Sequence, residues 1–178
     1  MPAGPIELAR TALVARNNWI DGHADVSGWF RDGSLLGLLA GGLTALSATL
    51  APTGVVALEA KGFVLGALVA ERLGLGLVLV RKGAKQSSRY LQRRTRPDWL
   101  GRELGLRLDP GEVADGDRLV LVDDWVETGA QAEAAQALVE AAGGTWTGTA
   151  AVVDDCADRS VAAQLGLCAL IRSEELGP

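Results

Sequence analysis

Apolar residues recur at helical spacing through Leu35, Leu36, Leu39, Leu43, Leu46 and Leu50, which predicts an amphipathic helix over 33–51. Pro52-Thr53-Gly54 ends it. Val55 to Leu58 is a short apolar run and reads as a buried strand, with Glu59-Ala60-Lys61-Gly62 as the loop after it. Phe63 to Leu73 is apolar almost all round, as a helix packed on a sheet would be, and Gly74 is its stop. Leu77 to Val80 and Leu119 to Val122 read as two more buried strands. Ala132, Ala135, Leu138, Val139 and Ala142 mark one face of a further helix, closed by Gly143-Gly144. Thr149 to Val153 and Leu167 to Ile171 complete the strands. Strand and helix alternate, so the chain is predicted to be α/β, with a largely parallel central sheet flanked by helices.

Between the second and third strands, residues 81–118 are polar, basic and broken by Gly and Pro. Excursions of that length in a compact domain are often functional. The first thirty residues read as a small flap outside the sheet. No internal repeat or low-complexity linker is present, so residues 1–178 are expected to form one domain.

Composition narrows the choice of function. The net charge is −5, which argues against general affinity for nucleic acid or an anionic membrane, although Arg81 to Arg107 is locally basic. No apolar run reaches the length of a membrane span or a signal-peptide core. His23 is the single histidine, which excludes a His-rich metal centre and makes a Ser-His-Asp triad hard to build. Cys156 and Cys168 form no spaced ligand set and read as reduced structural thiols of a cytoplasmic protein. A dinucleotide-binding oxidoreductase is disfavoured, because the glycine fingerprint is missing after the first strand.

Chemistry concentrates in residues 119–131. An apolar strand delivers Asp123 and Asp124 at its carboxyl edge, where open α/β sheets bind ligands. A turn through Glu127, Thr128 and Gly129 then opens a helix whose free N–H groups form an anion site. Small Gly129 and Ala130 let a phosphate approach the backbone. Two acids beside a phosphate cradle suit a ligand that also carries hydroxyls, as a ribose does. A solvated Asp-Asp turn followed by a Thr-Gly helix cap would account for the same residues.

Segment 119–131 resembles the phosphoribosyl pyrophosphate motif of type I phosphoribosyltransferases. A second block, Glu59 to Gly66 with Arg72-Leu73-Gly74 and Val80 to Lys85, is similar to the pyrophosphate-loop region of the adenine phosphoribosyltransferases. Trp29-Phe30-Arg31-Asp32 is a weaker echo of that family's base-binding segment. Together these cover about residues 27–165. The resemblance implies the type I phosphoribosyltransferase fold, with residues 1–32 as an N-terminal hood and 83–107 as a mobile lid loop over the site. It implies transfer of ribose 5-phosphate from phosphoribosyl pyrophosphate to a purine base, most simply adenine, in a magnesium-dependent cytoplasmic homodimer. Other nitrogen bases, or a non-catalytic sensor of the donor or a nucleotide, remain as alternatives.

The same resemblance implies roles for individual residues. Asp123 and Asp124 would bind the ribose hydroxyls, directly or through magnesium and water. Glu127, Thr128, Gly129, Ala130 and Gln131 would surround the 5-phosphate. Glu59, Ala60 and Lys61 would form the pyrophosphate loop, where the family often carries a non-proline cis peptide. Arg81, Lys82 and Lys85 would meet the pyrophosphate. Phe30 would stack on the base with Arg31 close by.

The departures from the family pattern are also informative. Ala130 and Gln131 replace a glycine and a threonine of the phosphate turn. Glu127 stands where the hypoxanthine-guanine branch has its proposed general base, so it is a candidate for that role, or else a partner for the loop backbone. Lys61 stands where the family often has Arg, which keeps the charge but not a bidentate fork. Trp29 and Trp125 either reshape the base pocket or serve as core aromatics.

Overall fold

The computed structural model describes residues 3–20, 23–83, 85, 87–97 and 101–177. The segments read above as hood and lid include positions 1, 2, 21, 22, 84, 86 and 98–100, which lie outside the described residues.

The chain opens with helix α1 (Pro5–Arg16), a two-stranded hairpin β1 (Trp19–Ile20) and β2 (His23–Ala24), and the short helix α2 (Val26–Arg31). Helix α3 (Gly33–Thr49) follows the predicted span closely. Its start is fixed by Asp32, whose carboxylate accepts the N–H groups of Ser34 and Leu35. Strand β3 (Gly54–Leu58), helix α4 (Lys61–Leu73) and strand β4 (Gly76–Lys82) form the first parallel crossover. Gly74 ends α4 in the left-handed region at φ +67°, where glycine avoids the Cβ clash.

Strands β5 (Leu91–Arg94) and β6 (Gly105–Leu108) come next, then β7 (Arg118–Val126), α5 (Ala130–Ala141), β8 (Thr145–Asp154), α6 (Arg159–Gln164) and β9 (Leu167–Arg172). Among the described residues, seven strands make one sheet in the order β5-β6-β4-β3-β7-β8-β9. The four pairings among β4, β3, β7, β8 and β9 are parallel. The two pairings that attach β6 and β5 are antiparallel.

Two apolar layers sandwich this sheet. On one face, α1, α3 and α4 bury Leu13, Leu39, Leu43 and Leu65 against Val55, Val120 and Val152. On the other, α5 buries Ala135, Leu138 and Val139 against Val56, Leu121 and Leu106. Residues of β3 and β7 alternate between the two layers, as the two-residue strand period requires. Both strands are buried on both faces, which is why they read as continuous apolar runs.

The structure revises four sequence expectations. The loop 59–62 is shorter than read, because α4 begins at Lys61. The strand ending at Val122 continues to Val126, because Trp125 and Val126 still pair with β8. The excursion 81–118 is not a bare loop: Leu106 and Leu108 are buried in the α5 layer, and the β5–β6 hairpin extends the sheet. The N-terminal segment stays outside the seven-stranded sheet as read, yet Ala9, Leu13 and Trp29 are buried in the main core.

Candidate active site

Three parallel strands end at the same edge of the sheet and deliver the predicted residues there. From β3 come Glu59, Ala60 and Lys61, from β4 Lys82, and from β7 Asp123, Asp124 and Trp125. These residues and Gln131 line a cavity of about 260 Å³. The peptide bond between Glu59 and Ala60 is cis. The Glu59 carboxylate accepts the N–H of Lys82 at 2.8 Å, and its own N–H donates to the Val80 carbonyl at 3.0 Å. Glu59 therefore ties the ends of β3 and β4 together.

The two aspartates differ in environment. Asp123 is buried, and Asp124 is half-buried. Burial pushes the Asp123 carboxyl well above the usual range, and the neighbouring Asp124 charge pushes it in the same direction. The N–H of Asp124 donates to Asp123 Oδ1 at 3.0 Å, which fixes the inner carboxylate. Lys61 Nζ lies 3.9 Å from Asp124 Oδ2. Its partial exposure makes it a weak ion pair, free to serve a ligand.

Beyond β7, Val126 to Ala132 wrap a second cavity of about 190 Å³, together with Asp123 and Trp125. Helix α5 starts at Ala130 after the N-cap Gly129, which offers no side-chain cap, so the N–H groups of Gln131 and Ala132 have no acceptor within the helix. The Ala130 N–H reaches Thr128 Oγ1 at 3.3 Å. This is an anion cradle at the positive end of a helix. Gly129 is required here for a reason beyond the one read in the sequence. It adopts φ +76°, and a Cβ would meet Val161 Cγ1 at 2.7 Å. Packing behind the turn by itself demands glycine.

The remaining cations are placed less directly. The Arg81 guanidinium lies over the Phe63 ring at 5.5 Å, and Lys85 Nζ over the Tyr90 ring at 5.3 Å. Neither lines the carboxylate cavity, whereas Lys61 and Lys82 do. In α2, Phe30 packs half-buried against the core and Arg31 is exposed. It is Trp29, buried, that reaches towards the site, stacking on Trp125 with ring centroids 6.4 Å apart.

A profile of the Phosphoribosyl transferase domain matches residues 35–163. The chain belongs to this phosphoribosyltransferase family. It is 39% identical over 121 residues to the adenine phosphoribosyltransferase of Frankia casuarinae, covering 66% of this chain and 62% of that protein. It is 40% identical over 118 residues to the adenine phosphoribosyltransferase of Streptomyces galbus, covering 62% of this chain and 64% of that one. The chain thus spans less than two thirds of the length of these relatives. The crystal structure of adenine phosphoribosyltransferase from Rhodothermus marinus superposes with a TM-score of 0.79 at 25% identity, covering 92% of this chain and 98% of that one. The expected type I phosphoribosyltransferase fold is the one observed.

Within this site, sequence reasoning missed Arg96. Its Nε donates to Glu133 Oε2 at 2.6 Å and its Nη2 to the carbonyl of Thr128. Through Arg96, the segment after β5 is tied to the phosphate turn. Arginines are so frequent between 81 and 107 that nothing in the sequence marks this one. Asp155 was also missed. Its carboxylate accepts the indole N–H of Trp125 at 3.1 Å.

Proposed function

We propose that this protein transfers ribose 5-phosphate from phosphoribosyl pyrophosphate to a purine base, adenine in the leading reading, releasing pyrophosphate. The observation that carries this reading is the juxtaposition of Asp123 and Asp124 with the open helix turn 127–132 on one side and Lys61 and Lys82 on the other. Such a site offers acceptors for ribose hydroxyls, N–H donors for a monoester phosphate, and cations for a leaving group.

In the reaction the bond from ribose C1 to the pyrophosphate oxygen breaks, and pyrophosphate leaves with the electron pair. A base nitrogen forms the new bond to C1 and gives up its proton. Lys61 and Lys82 stabilise the charge that grows on the leaving oxygen. Thr128, Gly129, Ala130 and Gln131 hold the 5-phosphate, and Asp123 and Asp124 orient the ribose. Glu127 is exposed, lies beside the turn and takes the proton. Ala60 shapes the loop that carries Lys61. Arg81 and Lys85, exposed beside Phe63 and Tyr90, are kept for the pyrophosphate role. Phe30 and Arg31 are kept as base-binding candidates.

Magnesium fits the two carboxylates. Among the described residues, no group of three or more His, Cys, Asp and Glu side chains is gathered as a ligand set. One or two carboxylates with phosphate and water oxygens are the usual surroundings of this hard cation. Asp123 and Asp124 would hold it, and it would supply positive charge against the pyrophosphate.

The protein is further read as a cytoplasmic homodimer of one domain, with residues 1–32 as hood and 83–107 as lid. Both cysteines are free thiols, which suits a reducing compartment. No helix among the described residues is long and apolar enough to cross a membrane. A second acceptor reading rests on one observation: Trp125, backed by buried Trp29, places an indole in the wall of the cavity that holds Asp123 and Asp124, and this bulk favours a base of different shape.

The test is pyrophosphate release from the donor and magnesium across a panel of bases. Release with adenine supports the leading reading, and release with another base alone moves the specificity. Donor binding without release from any base would replace the enzyme by a sensor.

A further inference from the structure

Trp125 is the wall shared by three cavities. It lines the carboxylate cavity, the phosphate-turn cavity and a third of about 390 Å³ that also includes Trp19, His23, Ala24, Asp155 and Ser173. Any acceptor that attacks a ribose held by Asp123 and Asp124 therefore meets this indole. A half-buried tryptophan has two side-chain torsions to fix. Here stacking on buried Trp29, at an interplanar angle of 16°, fixes the ring plane. Trp29 is itself anchored, its Nε1 donating to Asn17 Oδ1 at 3.2 Å.

Rotation within that plane is restrained by one bond, from Trp125 Nε1 to Asp155 Oδ2 at 3.1 Å. Asp155 lies just past β8, and its N–H donates to the Val126 carbonyl at 2.9 Å, so its backbone is tied to the strand that carries Trp125. The Ser173 hydroxyl donates to the other carboxylate oxygen, Oδ1. The relay Ser173–Asp155–Trp125 thus runs from the end of β9 to the site edge.

We propose that Asp155, held by Ser173, is a positioning residue that sets the acceptor slot by fixing the Trp125 indole. This rests on the transferase reading above. Asp155 itself lines only the third cavity, so it reaches the site through Trp125, and its effect falls mainly on the acceptor that meets the indole.

The experiment compares wild type, Asp155→Ala, Asp155→Asn, Trp125→Phe and the Trp125→Phe/Asp155→Ala double variant in steady-state transfer with adenine. Loss of one hydrogen bond to a carboxylate should raise the acceptor KM about tenfold in Asp155→Ala, with a distinctly smaller change in the donor KM. Asp155→Asn keeps an acceptor oxygen and should restore most of that loss. In the Trp125→Phe background the indole donor is gone, and Asp155→Ala should add nothing further. A penalty that persists in that background, or one that falls equally on the donor, overturns the proposal.

Fluorine NMR of protein labelled with 5-fluorotryptophan separates this from failure of the transferase reading. The resonance lost in Trp125→Phe identifies Trp125 among the five tryptophans. That resonance should move in Asp155→Ala, and an unmoved one overturns the proposal. If wild type transfers to no base, the transferase reading fails while this resonance still decides the contact.

Discussion

Gly62 lies directly beneath Asp123: a Cβ at position 62 would stand 2.8 Å from Asp123 Oδ1 and 3.3 Å from the Val122 carbonyl oxygen. The first turn of α4 can therefore approach the inner carboxylate only because residue 62 has no side chain. Asp123 cannot swing aside freely, since Oδ1 also accepts the Asp124 N–H. Gly62→Ala is expected to cost about 1–3 kcal/mol of stability through overpacking. It should also lower transfer at least tenfold by displacing the carboxylate, since small misplacements near reacting groups are costly. Thermal melts and steady-state kinetics on the same preparation check both.

Arg96 separates stability from function. Its ion pair with Glu133 lies at the surface and should contribute less than about 1 kcal/mol. Its second bond, to the Thr128 carbonyl, holds the phosphate turn itself. Arg96→Ala is accordingly expected to leave the melting temperature nearly unchanged while raising the donor KM roughly tenfold, the value of one charged hydrogen bond. Isothermal titration with phosphoribosyl pyrophosphate measures the loss without turnover.

The sheet was legible because β3, β4 and β7 are apolar runs too short for helices and bounded by turn residues. Their ends were less legible. Asp123 and Asp124 look like the close of a strand, yet backbone pairing with β8 carries β7 on to Val126, and pairing leaves no mark on side-chain polarity. Leu106 and Leu108 alternate with Gly105 and Arg107 as a strand buried on one face should, but the surrounding arginines masked that period. At the site, residues adjacent in sequence to the phosphate turn were readable from the sequence. Arg96 and Asp155 reach it only through the tertiary fold, 32 and 30 residues from their partners Thr128 and Trp125.

Asp32 makes the start of α3 acid-sensitive. Its carboxyl falls from the usual 3.8 to about 2, chiefly through the Leu35 N–H, then the Ser34 hydroxyl, with Arg16 adding to it. A depressed folded pKa means that the stabilisation is complete above about 3.8 and is lost as pH falls towards 2. The melting temperature of Asp32→Ala should therefore lie below wild type at neutral pH, with the gap closing as pH drops through that window. A gap that stayed constant down to the lowest pH would show that Asp32 acts by packing alone.

Glu127 is exposed, and its carboxylate takes part in no hydrogen bond or ion pair among the described residues. A carboxylate kept only to brace the turn would show such a bond. Instead it lines both the phosphate-turn cavity and a cavity of about 460 Å³ that Thr95, Arg102 and Leu104 also line. It is therefore available to a ligand, and replacing it removes no structural contact. Glu127→Gln should leave stability within about 0.5 kcal/mol, as surface changes do. The donor dissociation constant should also hold, because the N–H groups of the turn are untouched. If Glu127 accepts the proton of the attacking base, the single-turnover rate with a saturating base should fall about 100-fold or more. Rapid-quench measurement of nucleotide formation isolates that step from product release. An unchanged rate would send the proton elsewhere and leave Glu127 without a catalytic role.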